Sequence, residues 1–167
     1  IFQHPQGTFP INRNALTNPQ FVEDSRNSVN LFNLASALSP DAAVPIKSLF
    51  VYNANPVIAA ANQLKLLENL CRKDLFTVVS EIFQTDTCDY ADILLPATSQ
   101  MEQKDLMYSW GHYNIQFNQK AIEPLGEAVS NTELFRRLAE VFLFGDDVFT
   151  RDDDEIMSKA MLWDHKN

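Results

Sequence analysis

The middle of the chain alternates short apolar runs with amphipathic ones, and this alternation constrains the fold more than any other feature of the sequence. Residues 47–52 (KSLFVY), 75–80 (LFTVVS) and 93–95 (ILL) are short and rich in β-forming side chains, which predicts three strands. The pattern between them predicts a helix over residues 59–72 and one or two helical turns over residues 85–90. Strands that alternate with helices form parallel sheets covered by helices. We therefore predict an α/β fold, a three-layer αβα domain with a mainly parallel sheet.

Helical and extended patterns also occur on either side of this region. The helix over residues 59–72 is predicted to face inward with Ala60, Leu64, Leu67 and Cys71. Before it, a short helix over residues 28–38 is predicted, which Ser28 caps and which faces inward with Leu31, Leu34, Ala35 and Leu38.

After the third strand, the sequence predicts an extended segment or hairpin edge over residues 108–120 and then two helices. The first, over residues 131–144, faces inward with Leu134, Phe135, Leu138 and Phe142. The last begins at Asp152, Asp153 and Asp154, and its apolar face is Ile156, Met157, Ala160 and Met161.

Composition and charge exclude several classes of partner. The chain has 167 residues, of which 46% are hydrophobic and 21% charged, enough for a packed core. Its net charge is −9, and an acidic surface repels nucleic-acid phosphates and anionic lipid. We expect no nucleic-acid partner, no membrane contact and a cytoplasmic location. Residues 1–44 are predicted to form an irregular arm with one short helix, and residues 45–167 the folded domain.

No metal-ligand pattern occurs in the sequence. The cysteines, Cys71 and Cys88, are far apart and are interpreted as two buried or half-buried thiols. The histidines, His4, His112 and His165, form neither an HxxxH nor an HxH pattern. We therefore predict no metal site in this chain, and no set of nucleophile, base and orienting group that would form a catalytic site.

Polar side chains follow each predicted strand, where open parallel sheets bind their ligands. Asn53 and Asn55 follow the first strand, Ser80 and Glu81 end the second, and Gln103 follows the third. Asparagine both donates and accepts hydrogen bonds, and a carboxylate accepts two from the Watson–Crick edge of guanine. Each residue also has a structural interpretation: the asparagines as a helix cap or an Asx turn, and Glu81 as a solvated carboxylate. The sequence has no glycine-rich phosphate loop, so a standard dinucleotide or P-loop site is not predicted.

Three longer segments, taken in order, resemble one protein family. They are IKSLFVYNANP at residues 46–56, DLFTVVSEIFQTDTCDYADILLPATSQMEQKD at residues 74–105, and AIEPLGEAVSNTELFRRLAEVF at residues 121–142. Their order and spacing resemble the second Rossmann-like domain of the molybdopterin oxidoreductases of the dimethyl sulfoxide reductase type. The resemblance extends from residue 45 to about residue 160.

The resemblance implies a cofactor and the residues that contact it. Enzymes of the family carry molybdenum or tungsten on two pyranopterin guanine dinucleotides, and many hold an iron–sulfur cluster in another domain. By resemblance this domain contacts one dinucleotide at its guanosine end, through Asn53, Asn55, Ser80, Glu81, Gln103 and Asn131. Two positions depart from the family, which often has Asp in place of Glu81 and, in some members, Lys in place of Gln103. The second departure removes a positive charge, which puts a phosphate or carbonyl contact in doubt.

The resemblance covers one domain of a larger enzyme. We expect the chain to be a fragment that holds no metal or cofactor by itself, that does not turn over, and whose partners are the remaining domains of the parent enzyme and a small-molecule substrate. Formate, nitrate, sulfoxides and thiosulfate-type oxyanions all stay open as substrates. The alternatives are a structural or interaction domain, without cofactor, of a related electron-transfer subunit, and a free-standing nucleotide-binding domain that binds GMP or GDP tightly.

Overall fold

The structure is a computed structural model that describes residues 12, 18–21, 28–108 and 114–161. Contacts within the chain cluster into two compact units. One unit is Ser25–Ala97, and the other joins Ile1–Asp24 to Thr98–Asn167. These units divide the predicted domain of residues 45–167 after Ala97, and the boundary predicted between residues 44 and 45 stays a prediction.

The unit Ser25–Ala97 is built on a three-stranded parallel sheet. The strands are β1 (Ser48–Tyr52), β2 (Phe76–Glu81) and β3 (Ile93–Pro96), in the order β1-β2-β3. Both pairings are parallel, as predicted. The helical elements are a 3-10 turn at Leu31–Asn33, α1 (Leu34–Ala37), α2 (Pro56–Ala59), α3 (Gln63–Leu70) and a 3-10 helix at Asp86–Tyr90. The mixed α/β architecture with a parallel sheet confirms the predicted fold class and is consistent with a three-layer αβα fold.

The core of this unit lies between its helices and one face of the sheet. Leu49 and Val51 of β1 and Val79 of β2 pack with the helical residues on this face. On the opposite face, Phe76 and Ile93 keep 47% and 44% of their surface exposed. The helical layer of this unit therefore covers one face of the sheet.

Two helices of this unit differ from the prediction, the first in its cap residue and the second in its continuity. The first is capped by the Asn30 side chain, which accepts a hydrogen bond from the Phe32 backbone N–H at 3.0 Å, so the prediction of Ser28 as the cap is wrong. Of the helix predicted over residues 59–72, only Gln63–Leu70 forms one helix, α3, and Ala59 is the last residue of α2. The two are separated because Ala60 is extended and Asn62 adopts the left-handed conformation, with φ at +57°. The break changes the phase of the second part: Leu66 is fully buried and Leu64 is 77% exposed. The predicted inward positions Leu64 and Cys71 are therefore wrong.

The other unit contains a hairpin and two helices within its described residues. Strands β4 (Asp105–Tyr108) and β5 (Ile115–Asn118) pair antiparallel, which agrees with the predicted hairpin edge. Helix α4 (Asn131–Val141) is capped by Ser130, whose side chain accepts a hydrogen bond from the Glu133 N–H at 3.2 Å. Helix α5 (Asp153–Met161) follows Asp152, whose carboxylate accepts from the Glu155 N–H at 2.8 Å.

The predicted inner face of α4 is only partly correct. Leu134 is buried, but Phe135 is 44% exposed and Phe142 64% exposed. The helix ends at Val141 and the chain reverses at Leu143, which has a φ of +59°. Phe142 is the C-cap residue of α4, at the end of the helix. In α5 the predicted apolar face is buried at Ala160, while Met161 is 46% exposed. Half of the predicted N-terminal arm, residues 1–44, lies outside the described residues.

Candidate functional site at the carboxyl edge of the sheet

Four of the predicted site residues lie at the carboxyl ends of β1 and β2. Tyr52, the last residue of β1, is the register partner of Ser80 in β2. Asn53 directly follows β1, and Glu81 is the last residue of β2, so both lie at this edge of the sheet. Asn53 is exposed and has a φ of +51°, a left-handed conformation that asparagine tolerates better than most residues. The carboxyl ends of the two neighbouring strands thus carry an amide and a carboxylate at the edge where parallel sheets hold ligands.

The carboxylate of Glu81 has a local partner. Its Oε1 accepts a hydrogen bond from the backbone N–H of Ile82 at 2.8 Å, which holds the carboxylate at the end of β2. Glu81 is half-buried, and no described residue donates to its second oxygen. The side chain is therefore neither freely solvated nor fully used by the protein.

Asn55 is bound to a buried threonine. The Thr87 hydroxyl donates to Asn55 Oδ1 at 2.6 Å and accepts from the backbone N–H of Val57 at 3.2 Å. Thr87 belongs to the 3-10 helix Asp86–Tyr90 and has no exposed surface. Half of the Asn55 amide is therefore used within the unit, by a threonine and not by the helix cap that the structural interpretation predicted, and its Nδ2 donors are not used by any described residue.

Ser80 contributes a buried hydroxyl. The residue is 3% exposed, and its Oγ has no hydrogen-bond partner among the described residues. Buried hydroxyls without a partner are uncommon in proteins, so a hydrogen bond is unmet at this edge. Because the Oγ is enclosed, a ligand reaches it only if neighbouring atoms move.

Gln103 and Asn131 belong to the other unit. Gln103 Oε1 accepts a hydrogen bond from the Thr98 hydroxyl at 2.7 Å, and the Thr98 backbone N–H donates to the Val129 carbonyl at 3.2 Å. Asn131 is the half-buried first residue of α4. Thr98 thus connects the segment of Gln103 to the segment that leads into α4.

Gln103 lines a cavity of about 530 Å³ whose walls are charged. Lys104 pairs with Asp154 at 2.7 Å, and Arg136 and Arg137 pair with Glu133 at 2.7 and 2.8 Å. Hydrogen bonds from Arg137 and Arg136 lower the pKa of the Glu133 carboxyl, and the hydrogen bond to Asp154 raises the pKa of Lys104. These cations are already neutralised, so the cavity is not a site with free positive charge for an anion.

Glu102, beside Gln103, organises the loops around this cavity. Its carboxylate accepts from the Ser99 hydroxyl and backbone N–H, both at 2.7 Å, and from the Leu125 N–H at 2.8 Å. These hydrogen bonds, those from Ser99 first, lower its pKa below the ordinary value. Glu102 is therefore a structural carboxylate.

Sequence reasoning missed Thr87 and Thr98, the two hydroxyl groups that hold predicted site amides. Thr87 lies 32 residues from Asn55, and Thr98 five residues from Gln103. Thr87 belongs to the run TDT at residues 85–87, and the sequence pattern assigned no role to any single residue of this run. Within the part of the chain that the structure describes, no cluster of three or more His, Cys, Asp or Glu side chains is arranged to hold a metal ion. The described residues also contain no helix long and apolar enough to cross a membrane.

Comparison with known proteins identifies the family. The family model for molybdopterin oxidoreductase matches residues 6–141. The chain is 42% identical over 164 residues to the probable oxidoreductase YoaE of Bacillus subtilis, which covers 98% of this chain and 24% of the relative. It is 34% identical over 101 residues to the alpha subunit of F420-dependent formate dehydrogenase of Methanocaldococcus jannaschii, which covers 60% of this chain and 15% of the relative.

A solved structure has a similar fold. Acetylene hydratase from Pelobacter acetylenicus aligns with a TM-score of 0.68 and 27% identity, over 80% of this chain and 18% of that chain. The chain therefore spans about a quarter or less of the length of the relatives it matches. Because the family model matches most of the sequence, this chain belongs to the molybdopterin oxidoreductase family.

Proposed function

We propose that this chain contributes part of the binding site for one guanine dinucleotide in a molybdenum or tungsten bis-pterin oxidoreductase. The observation that carries the proposal is that Asn53 and Glu81 lie at the carboxyl ends of the paired strands β1 and β2. Parallel α/β sheets bind nucleotides at this edge. Family membership supplies the kind of ligand, a molybdopterin cofactor.

Glu81 is the residue that recognises guanine in this proposal. Its Oε1 accepts from the Ile82 N–H, which orients the carboxylate and leaves the second oxygen and the other lone pair of Oε1 as acceptors. Guanine presents N1–H and an amino group side by side, and adenine presents an acceptor at N1, so a carboxylate favours guanine. A hydrogen bond to a charged group contributes about 1.5–3 kcal/mol, enough to distinguish the two bases.

The other predicted contacts have complementary chemistry. Asn53 and the free Nδ2 of Asn55 supply amide groups for the sugar or the phosphates, and Ser80 supplies the hydroxyl whose hydrogen bond is unmet. The Nε2 donors of Gln103 are not used by any described residue, and Asn131 begins α4. None of these side chains is a lysine or arginine, so they would contact the ligand through neutral amide and hydroxyl groups.

The redox chemistry of the proposed enzyme belongs to the metal and its pterins, which exchange electrons with the substrate when bound. This chain binds and orients one dinucleotide. The remaining domains, an iron–sulfur cluster outside this chain and a small-molecule substrate are part of the same proposal. Relatives named as a formate dehydrogenase and a hydratase leave the substrate open.

The experiment replaces Glu81 in a full-length enzyme that carries this sequence. Glu81→Ala removes the acceptor, and Glu81→Gln keeps the size of the side chain but places an amide donor near the donors of guanine. We expect both variants to contain less molybdenum or tungsten and to release less GMP on acid hydrolysis than the unchanged enzyme, with an unchanged circular dichroism spectrum. Glu68→Ala, an exposed glutamate on α3, is the matched control and should retain full content.

Full metal and GMP content in Glu81→Ala would make Glu81 an ordinary carboxylate at a strand end. Absence of both metal and pterin from the unchanged enzyme would instead favour a structural domain without cofactor.

A further inference from the structure

The start of α2 is capped in an unusual way. Asn55 is its N-cap residue, but the Asn55 side chain makes no capping hydrogen bond to the helix. The Thr87 hydroxyl accepts from the Val57 N–H instead, the hydrogen bond that an N-cap asparagine ordinarily accepts itself. Thr87 therefore replaces Asn55 as the cap and lies between the asparagine and the helix.

This arrangement fixes the orientation of the Asn55 amide. A threonine hydroxyl has a single proton, which Thr87 donates to Asn55 Oδ1 at 2.6 Å while its oxygen accepts from the Val57 N–H. With the amide flipped, Asn55 Nδ2 would donate to the same hydroxyl oxygen, and the buried Thr87 proton would lose its acceptor. Thr87 has no exposed surface, so water does not compete for its hydroxyl.

We infer that Thr87 is a positioning residue that holds Asn55 so that its Nδ2 donates to an acceptor oxygen of the bound ligand, of the phosphate or carbonyl class. The inference rests on the proposed function, because Asn55 has to contact the ligand. Without the hydroxyl, Asn55 Oδ1 is free to turn and accept from the Val57 N–H directly, as N-cap asparagines do. The helix start then remains capped, and the donors of Asn55 are no longer directed to the ligand.

The experiment is a double-mutant cycle in the full-length enzyme that carries this sequence. The variants are Thr87→Val, Asn55→Ala and their combination, with Thr87→Ser to restore the hydroxyl. The readout is the rate at which bound cofactor is lost on dilution, measured as the GMP that acid hydrolysis releases from the protein. This readout does not depend on turnover.

We expect Thr87→Val and Asn55→Ala each to accelerate the loss about threefold to tenfold, as for the loss of one hydrogen bond. The double variant should lose cofactor no faster than Asn55→Ala, because Thr87 acts through Asn55, and Thr87→Ser should resemble the unchanged enzyme. Multiplied effects in the double variant, or an unchanged rate in Thr87→Val, would overturn the inference.

A control separates positioning from general destabilisation. Asn69→Ala removes a buried hydrogen bond of the same unit, from Asn69 Nδ2 to the Ala35 carbonyl, that does not involve Asn55. Loss of cofactor from Asn69→Ala as fast as from Thr87→Val would overturn the inference.

The inference and the proposed function fail in different ways. If Asn55→Ala has no effect while Glu81→Ala lowers the GMP content, the inference is wrong and the proposed function stands. If neither variant changes the content, both are wrong.

Discussion

Leu66 and Leu64, two residues apart in α3, test the packing of the unit Ser25–Ala97. Leu66 is fully buried in the cluster with Leu38 and Leu70, and Leu64 is 77% exposed. Leu66→Ala removes three buried carbons, about 2.4 kcal/mol at ~0.8 kcal/mol each, and leaves a cavity that brings the expected loss to about 3–4 kcal/mol. Leu64→Ala removes the same atoms where under a quarter of the side chain is buried, which predicts about 0.5 kcal/mol.

Urea unfolding followed by circular dichroism measures both variants under identical conditions. With a slope of about 2 kcal/mol per molar urea, Leu66→Ala should lower the midpoint by about 1.5–2 M and Leu64→Ala by about 0.3 M, with the slope unchanged. Both substitutions have the same small effect on helix propensity, so the difference reports burial alone. Equal shifts, or a larger shift for Leu64→Ala, would refute the break at Asn62 and support the single helix predicted from the sequence.

Two further predictions concern polar groups of the same unit. Asn69→Ala leaves the buried Ala35 carbonyl of α1 without its 2.6 Å hydrogen bond and should lower the free energy of unfolding by about 1–3 kcal/mol. Glu68→Ala, on the exposed side of α3, should change the free energy of unfolding by less than about 0.5 kcal/mol. Equal effects of the two substitutions in urea unfolding would contradict this assignment. Hydrogen bonds from Arg72 and then Lys47 lower the pKa of Asp74 well below its ordinary value of 3.8. Because the folded-state pKa is the lower one, the pair stabilises the fold above the ordinary pKa and this contribution is lost as the pH falls below it. Asp74→Asn should therefore weaken the acid dependence of the thermal midpoint between about pH 5 and 2, and an unchanged dependence would show that the pair does not contribute.

The strands could be predicted from the sequence because their composition leaves a local signal. Residues 49–52 (LFVY) and 76–79 (FTVV) are short runs of β-branched, aromatic and other apolar side chains, and their alternation with helices predicted the parallel pairing. The break in the helix between Ala59 and Gln63 left no such signal, since neither glycine nor proline occurs there and Asn62 alone adopts a left-handed conformation. Because helical periodicity was counted across this break, Leu64 and Cys71 were predicted to face inward, whereas both are exposed.

Only those parts of the site that depend on neighbouring residues in the sequence could be predicted. That polar side chains follow the strands is visible in the sequence, and the parallel pairing of β1 and β2 places Asn53 and Glu81 at the same edge of the sheet. The contact of Asn55 with Thr87 joins residues 32 positions apart, so only the fold reveals it. Whether a carboxylate accepts from its own backbone neighbour, as Glu81 does from Ile82, depends on the local conformation at the strand end, which the residue pattern does not specify.

The central claim is that Glu81 lies against the guanine of a pterin dinucleotide. The most direct test is a structure of the full-length enzyme that carries this sequence, with its cofactor bound, in which the distances from the Glu81 carboxylate to guanine N1 and to its amino nitrogen are measured. We predict hydrogen bonds of about 2.7–3.0 Å from both nitrogen atoms, with Oε1 still bound to the Ile82 N–H. A guanine bound away from the carboxyl edge of β1 and β2, with Glu81 in contact only with solvent and Ile82, would contradict the account.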